Sequence, residues 1–293
     1  MPMRLKLRSY YFFAVMGMIV VSQGSLMSPM LQKFDLSYAS GGMLIAVNSV
    51  FYLISGLLAG VLIDRIEHRF VIFSGNVAFV LSMLTLTFAQ NYLWLIIAWS
   101  LCGIGWGLLN SSVNSLINDQ TGGNPSILSR MHMLYGVGAF VIPLVVRFFL
   151  GTRFGYLGAT ILLTAAAVGG LLLAFGVPGG AVARSPKEAR KRLGSGWILF
   201  AAILFFYVGT EASFNNWMVS ILTDAKGFQP QDAQTLLAVF WVSMIVGRLV
   251  TSLIPRIRSI GLVLLGLSIA SLVSLAIFLF VAQPTLIVAS IIL

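Results

Sequence analysis

The feature that most constrains this chain is the regular return of apolar runs about 20 residues long, each parted from the next by a short polar or Gly/Pro break. A hydrocarbon core about 30 Å thick is crossed by about 20 residues of helix rising about 1.5 Å each. Nine runs meet that length, at 10–31, 41–63, 70–89, 92–117, 127–150, 155–177, 197–222, 233–254 and 259–282. A tenth opens at Pro284 and reaches Leu293 at what would be mid-membrane depth. A helix stopping inside hydrocarbon strands its last carbonyls, so the sequence is expected to be part of a longer protein. Only 9% of residues are charged and mean hydropathy is +0.98, whereas soluble domains carry roughly 25% charged residues. The expected fold class is an all-α integral membrane bundle.

A net charge of +10 could suit nucleic acid, but its placement argues for orientation. With the N-terminus inside, the inner face receives Arg4, Lys6, Arg8, Arg65, Arg69, Arg130, the five cations between Arg184 and Arg192, and Arg256 with Arg258. The outer face receives Lys33, Arg147, Arg153 and Lys226. That asymmetry follows the positive-inside rule, and anionic lipid headgroups are the partner it implies. The single cysteine, Cys102, excludes an intrachain disulfide. The first apolar run holds Gln23 and Pro29 and is too long for a cleaved signal core, so it reads as a retained span.

The longest polar interruption, 178–196, is basic and bounded by Gly, Pro and Ser. It divides the chain into an N-terminal six-span half (1–177), a cytoplasmic linker (178–196) and an incomplete second half (197–293). A faint repeat supports the division: Phe88-Ala89-Gln90 after the third span answers Val281-Ala282-Gln283 after the ninth, and Arg65-Ile66 answers Arg256-Ile257.

Polar groups inside a span face the bundle interior or a water-filled path. At about 100° per residue, Gly103, Gly107, Asn110 and Asn114 share a face of the fourth span, and Asn48, Tyr52 and Ser55 share one in the second. Each set reads either as a solute-path lining or as close helix packing through small residues and amides. In the seventh span Glu211 and Asn215 are one turn apart. Glu211, about 20 Å from the inner end at 1.5 Å per residue, is the acidic residue deepest in any span and a candidate for reversible protonation. Arg248 is the other intramembrane charge, with Asp119 at the inner end of the fourth span as a candidate partner. Trp241 lies near the depth of Glu211 and Asn48 and suits stacking on a sugar ring or filling the bundle. His132 has no neighbour at metal-ligand spacing, so no metal or other cofactor is expected.

The break between the second and third spans reads Gly60-Val-Leu-Ile-Asp64-Arg65-Ile-Glu67-His68-Arg69. Gly60, Leu62, Asp64, Arg65 and Arg69 match the G-x-L-x-D-R-x-G-R-R/K loop of the major facilitator superfamily, while Glu67 and His68 replace its Gly and Arg. The segment Phe206–Trp217, the pair Gly247-Arg248 and His132–Pro143 together resemble that family's fucose-permease-like branch along the whole chain. The resemblance implies two six-helix halves and alternating access around a central site, often with proton-coupled sugar uptake. Gly60, Asp64, Arg65 and Arg69 would then be an inner gate motif. Gln23, Asn110 and Asn114 stand where the fucose permease's acidic first and fourth spans would place carboxylates, which leaves Glu211 as the coupling candidate.

The expected function is secondary transport of a small polar solute, with protons as a possible coupling ion, by a monomer in a bacterial cytoplasmic membrane. Efflux of drugs or amphiphiles is the alternative within transport, and a non-transporting solute sensor is the alternative outside it. An intramembrane enzyme needs paired acids or a catalytic dyad, and the spans offer neither.

Overall fold

The computed structural model describes residues 2–178, 196–253 and 260–292. Ten α-helices follow one another there: α1 (Met3–Lys33), α2 (Tyr38–Ile63), α3 (His68–Thr87), α4 (Tyr92–Thr121), α5 (Pro125–Leu150), α6 (Gly155–Ala174), α7 (Gly196–Ser220), α8 (Pro230–Leu253), α9 (Ile260–Phe280) and α10 (Pro284–Ile292). Eight are long and apolar enough to cross a membrane by length and composition; α8 and the nine-residue α10 stand outside that set. Residues 179–195 of the expected linker, Arg256 and Arg258, and the side chain of Arg248 lie outside the described residues.

The breaks between apolar runs are where helix ends find caps. Ser37 starts α2 by accepting from the Ser40 N–H, and Asn91 starts α4 by accepting from Leu93 and Trp94. Asn124 caps α5 with Pro125 in its first turn, and Gly122 ends α4 at φ 61°, a conformation glycine adopts without strain.

Lipid tails give helices no hydrophobic reason to associate, so close packing and hydrogen bonds hold such a bundle. α1 is its central post, packed on α4, α5, α6 and α7; α2 lies on α4, α3 between α4 and α6, and α5 on α8. Gly17 rests on the Tyr135 carbonyl and Gly138 on the Ala14 carbonyl, so the α1 and α5 backbones touch where any Cβ would hold them apart. The Tyr11 hydroxyl donates to the Ala166 carbonyl at 2.9 Å and ties α1 to α6.

The turns sort into two ends. One, here the distal end, holds the α1–α2, α3–α4, α5–α6, α7–α8 and α9–α10 turns. There Tyr92 donates to the Ser40 carbonyl, Lys33 meets Tyr156, and Lys226 donates to the carbonyls of Leu279 and Val281. The proximal end holds the N-terminus and the α2–α3 and α4–α5 turns.

Candidate functional site

Helices α1–α6 meet α7 and α8 along a seam that is tight at the distal end. α7 finishes in a π turn, Ile221–Ala225, whose wider ring brings the Lys226 N–H to the Ile221 carbonyl at 3.0 Å. That turn aims Asp224 back at the first helices: Tyr38 donates to its Oδ2 at 2.9 Å and Ser28 to its Oδ1 at 3.4 Å. Trp217 lies edge-on to Tyr38 with ring centroids 6.0 Å apart. One layer deeper the Gln234 amide donates to the Ser25 carbonyl at 2.8 Å, fully buried. Beside it Gly24 sits directly against the Asn215 carbonyl.

Deeper again, the Trp241 indole N–H donates to Asn215 Oδ1 at 3.1 Å, and Tyr135 of α5 stands edge-on to Trp241 at 6.0 Å. Three helices from both groups therefore converge on one buried polar contact. Glu211 lies one turn of α7 toward the proximal end, half-buried, with no hydrogen bond or ion pair among the described residues. From there to Trp197 the large side chains of α7 that the structure describes are exposed, Phe205 at 73% and Phe206 at 70%. A groove of about 470 Å³ between α7 and α9 is lined by Phe206, Thr210, Phe214 and Phe278; its apolar wall suits lipid or helix contact better than a polar solute.

The polar stripes of α2 and α4 face each other. The Asn48 amide donates to the Trp99 carbonyl at 3.0 Å, Ser55 to the Gly103 carbonyl at 3.3 Å, and Ser111 to the Gly56 carbonyl at 3.3 Å. Gly103 and Gly107 pack on the α2 backbone at Asn48 and Tyr52. Asn110 donates to the Tyr52 hydroxyl of α2 at 3.3 Å, and Asn114 turns back on its own helix, donating to the Asn110 carbonyl at 2.7 Å. Tyr52 stacks on Trp106 with centroids 4.1 Å apart. The Gln23 side chain is buried against the Cys102 thiol, which Asn48 and Ser82 also approach.

At the proximal end Asp64 and Arg65 are exposed, and Arg69 Nε is 2.6 Å from Glu67 Oε2. Glu67, in place of the motif's Gly, thus takes up Arg69 locally. His68, in place of its Arg, is buried; its Nε2 lies 3.2 Å from Ser115 Oγ and 3.6 Å from Asp119 Oδ2, joining α3 to α4. Nothing beside Gly60 lies within 4 Å of where a Cβ would stand.

Sequence reading brought Asn215 and Trp241 forward separately, and the structure joins them. It did not single out Asp224, Tyr38, Gln234 or Ser25. Their only sequence signal is a polar residue near a span end, which most turns also carry. Among the described residues no cluster of three His, Cys, Asp or Glu could hold a metal.

Two helix groups thus meet at one end of an apolar helical bundle around buried amides, with Glu211 half-buried beside them. The Major Facilitator Superfamily model matches residues 10–293, and the chain belongs to that family. It is therefore a multi-pass membrane transporter of the secondary type and not an enzyme, in line with its fucose-permease-like motifs. The glucose/mannose transporter GlcP of Bacillus subtilis (strain 168) is 24% identical over 297 residues, 94% of this chain and 72% of that protein. Sodium-dependent glucose transporter 1A of Mus musculus is 22% identical over 308 residues, 90% and 72% of the two. The crystal structure of the nucleoside transporter NupG superposes with a TM-score of 0.74 at 17% identity, covering 99% of this chain and 77% of that one; this likeness concerns the fold.

Proposed function

We propose that this protein carries a sugar or a similar small polar solute, using two helix halves (1–177 and 197–293) that rock about the Asn215–Trp241 contact. The observation that carries the reading is the position of Glu211. It is half-buried one turn proximal to the contact that closes the distal seam, where rocking of the halves changes the side from which it meets water. Taking the distal end as outside, the structure has the geometry of a carrier shut outward. Asp64, Arg65 and Arg69 then lie at the inner mouth, where charge on helix ends can hold the opposite closure. Gln23, Asn48, Tyr52, Asn110 and Asn114 extend the polar lining on the first half, and Arg248 with Asp119 supplies inner-mouth charge. The two glucose-transporting relatives support a sugar as the solute.

The test is uptake of labelled hexoses by proteoliposomes under an imposed pH gradient, a sodium gradient, or neither. Uphill uptake driven by pH, lost in Glu211→Gln while equilibrium exchange persists, supports proton coupling at Glu211. Uptake driven only by sodium moves the coupling elsewhere. Saturable binding without uptake supports a sensor, and movement of amphiphilic cations alone supports efflux.

A further inference from the structure

The α2–α3 turn departs from its motif at two neighbouring positions, and the structure gives both departures a partner. Glu67 takes up Arg69 within the turn, at 2.6 Å. His68 turns the other way: its side chain is buried and faces Ser115 and Asp119, one turn apart on α4. The same ring nitrogen, Nε2, lies 3.2 Å from Ser115 Oγ and 3.6 Å from Asp119 Oδ2. A neutral imidazole is served by the nearer hydroxyl alone. The carboxylate stands past hydrogen-bond reach, so it acts through charge, and only on an imidazolium.

The placement of the two charges makes the pair conditional. His68 is the first residue of α3, and Asp119 lies two residues from the end of α4. A cation at a helix N-terminus and an anion at a C-terminus each oppose the helix dipole, so each charge is favoured there only when the other is present. Holding the two helices together does not require them. Further along the same pair, Gly75 packs on Leu109 and Phe79 on Gly105, apolar contacts that join α3 to α4 at any pH. Other charges leave the imidazole to Asp119. α6, also packed along α3, carries no acid or base besides Tyr156 at the distal end, and α2 ends in Asp64 and Arg65, both exposed.

We infer that His68 is a positioning residue for the proximal mouth and works as a proton-operated clasp. Protonated, it pairs with Asp119 and holds the α2–α3 turn on α4; neutral, it keeps only Ser115, and the turn moves more freely. The motif's Arg at this position is charged at every physiological pH, whereas an imidazole titrates near about 6.5. The clasp is therefore closed below that range and loosened above it. The inference rests on the transport reading above, because movement of this turn is what gives the clasp an effect on transport, and it adds a proton site apart from Glu211.

A spin label at exposed Ile66, introduced as Ile66→Cys in a Cys102→Ala background, reports the turn's mobility whether or not any solute moves. As the pH falls from about 8 to about 5.5, the label is expected to lose mobility in one step centred in the imidazole range. His68→Gln should leave it mobile throughout and His68→Arg restrained throughout. His132→Gln, which removes the chain's other imidazole, should keep the step. Asp119→Asn, at a half-exposed position, should also abolish the step and covers a His68 variant that fails to fold. In proteoliposomes with equal pH on both sides, equilibrium hexose exchange should fall about two- to fivefold over the same step, the size expected of a part-exposed pair. That fall should survive Glu211→Gln and vanish in His68→Gln. A turn whose mobility ignores pH, or whose step survives both His68→Gln and Asp119→Asn, would overturn the clasp. A mobility step with exchange independent of pH would overturn its role in transport. A protein that shows the mobility step yet moves no solute would instead remove the transport reading and leave the clasp standing.

Discussion

Gly24 of α1 lies against the Asn215 carbonyl of α7, so close that a methyl group at Gly24 would overlap that oxygen. The contact joins the two helix groups, whereas the equally tight Gly138–Ala14 and Gly17–Tyr135 contacts lie within the first. The same substitution therefore has different consequences. Forcing a backbone contact apart costs about 1–3 kcal/mol. At Gly24 the two groups can separate, so Gly24→Ala should shift the distal opening equilibrium by about 2 kcal/mol, roughly thirtyfold. Spin labels at Ala39 and Gln229, both exposed at the distal end, would report a longer distance with little change in unfolding temperature. In Gly138→Ala no such movement is available, and a lower unfolding temperature with an unchanged distance is expected.

The Asn215–Trp241 bond predicts a coupling. Asn215→Leu strands the indole N–H, and Trp241→Phe strands the amide oxygen, in a site where both residues are buried. Each single change should cost about 1–3 kcal/mol, while the double variant should cost less than their sum by about 1 kcal/mol. Thermal or denaturant unfolding in detergent measures the cycle. Strict additivity would mean that the two side chains do not share a bond in the folded ensemble.

Asp224 is an exposed latch and should behave as one. Asp224→Asn keeps the shape but removes the charge that Tyr38 and Ser28 donate to, and exposed pairs of this kind are worth about 0–1 kcal/mol. The expected change is a few-fold rise in the distally open population, read with the same labels. Tyr38→Phe should match it, and the two together should add nothing. High salt should mimic both, because exposed charge is screened.

The bundle was legible in the sequence because period and length are set by the bilayer. All ten helices lie where the apolar runs do, with ends shifted by a few residues to Ser37, Asn91 and Asn124. The site was legible only in part. Helical phase puts Gly103, Gly107, Asn110 and Asn114 on one face, yet α2 covers most of it: the glycines pack on its backbone, Asn110 bonds to its Tyr52, and Asn114 bonds back to Asn110. Phase within one helix cannot say which neighbour covers it. The seam escaped for a related reason. Gln234 and Ser25 are 209 residues apart, and only the crossing of α1 by α8 makes them partners.

The α2–α4 contact yields a last prediction, which separates packing from the loop motif. A methyl group at Gly107 would overlap Ser55 Oγ and lie 2.5 Å from the Tyr52 carbonyl oxygen and 2.7 Å from the Gly56 nitrogen. α2 cannot retreat locally, because its Asn48 donates to the Trp99 carbonyl of α4 on one side and its Gly56 carbonyl accepts from Ser111 of α4 on the other. Gly107→Ala should therefore cost about 2 kcal/mol and lower the unfolding temperature by about 5 °C, at about 2–4 °C per kcal/mol in chains of this size. Gly60, about one turn beyond Gly56 along α2, has nothing within 4 Å of an added methyl group. Gly60→Ala should not lower the unfolding temperature and should raise it by about 2–4 °C, since alanine is about 1 kcal/mol more favourable than glycine inside a helix. Any loss of transport in that variant then reports on movement of the Asp64–Arg69 turn. A marked drop in its stability would instead show that a partner packs on Gly60 and that the motif's glycine is structural.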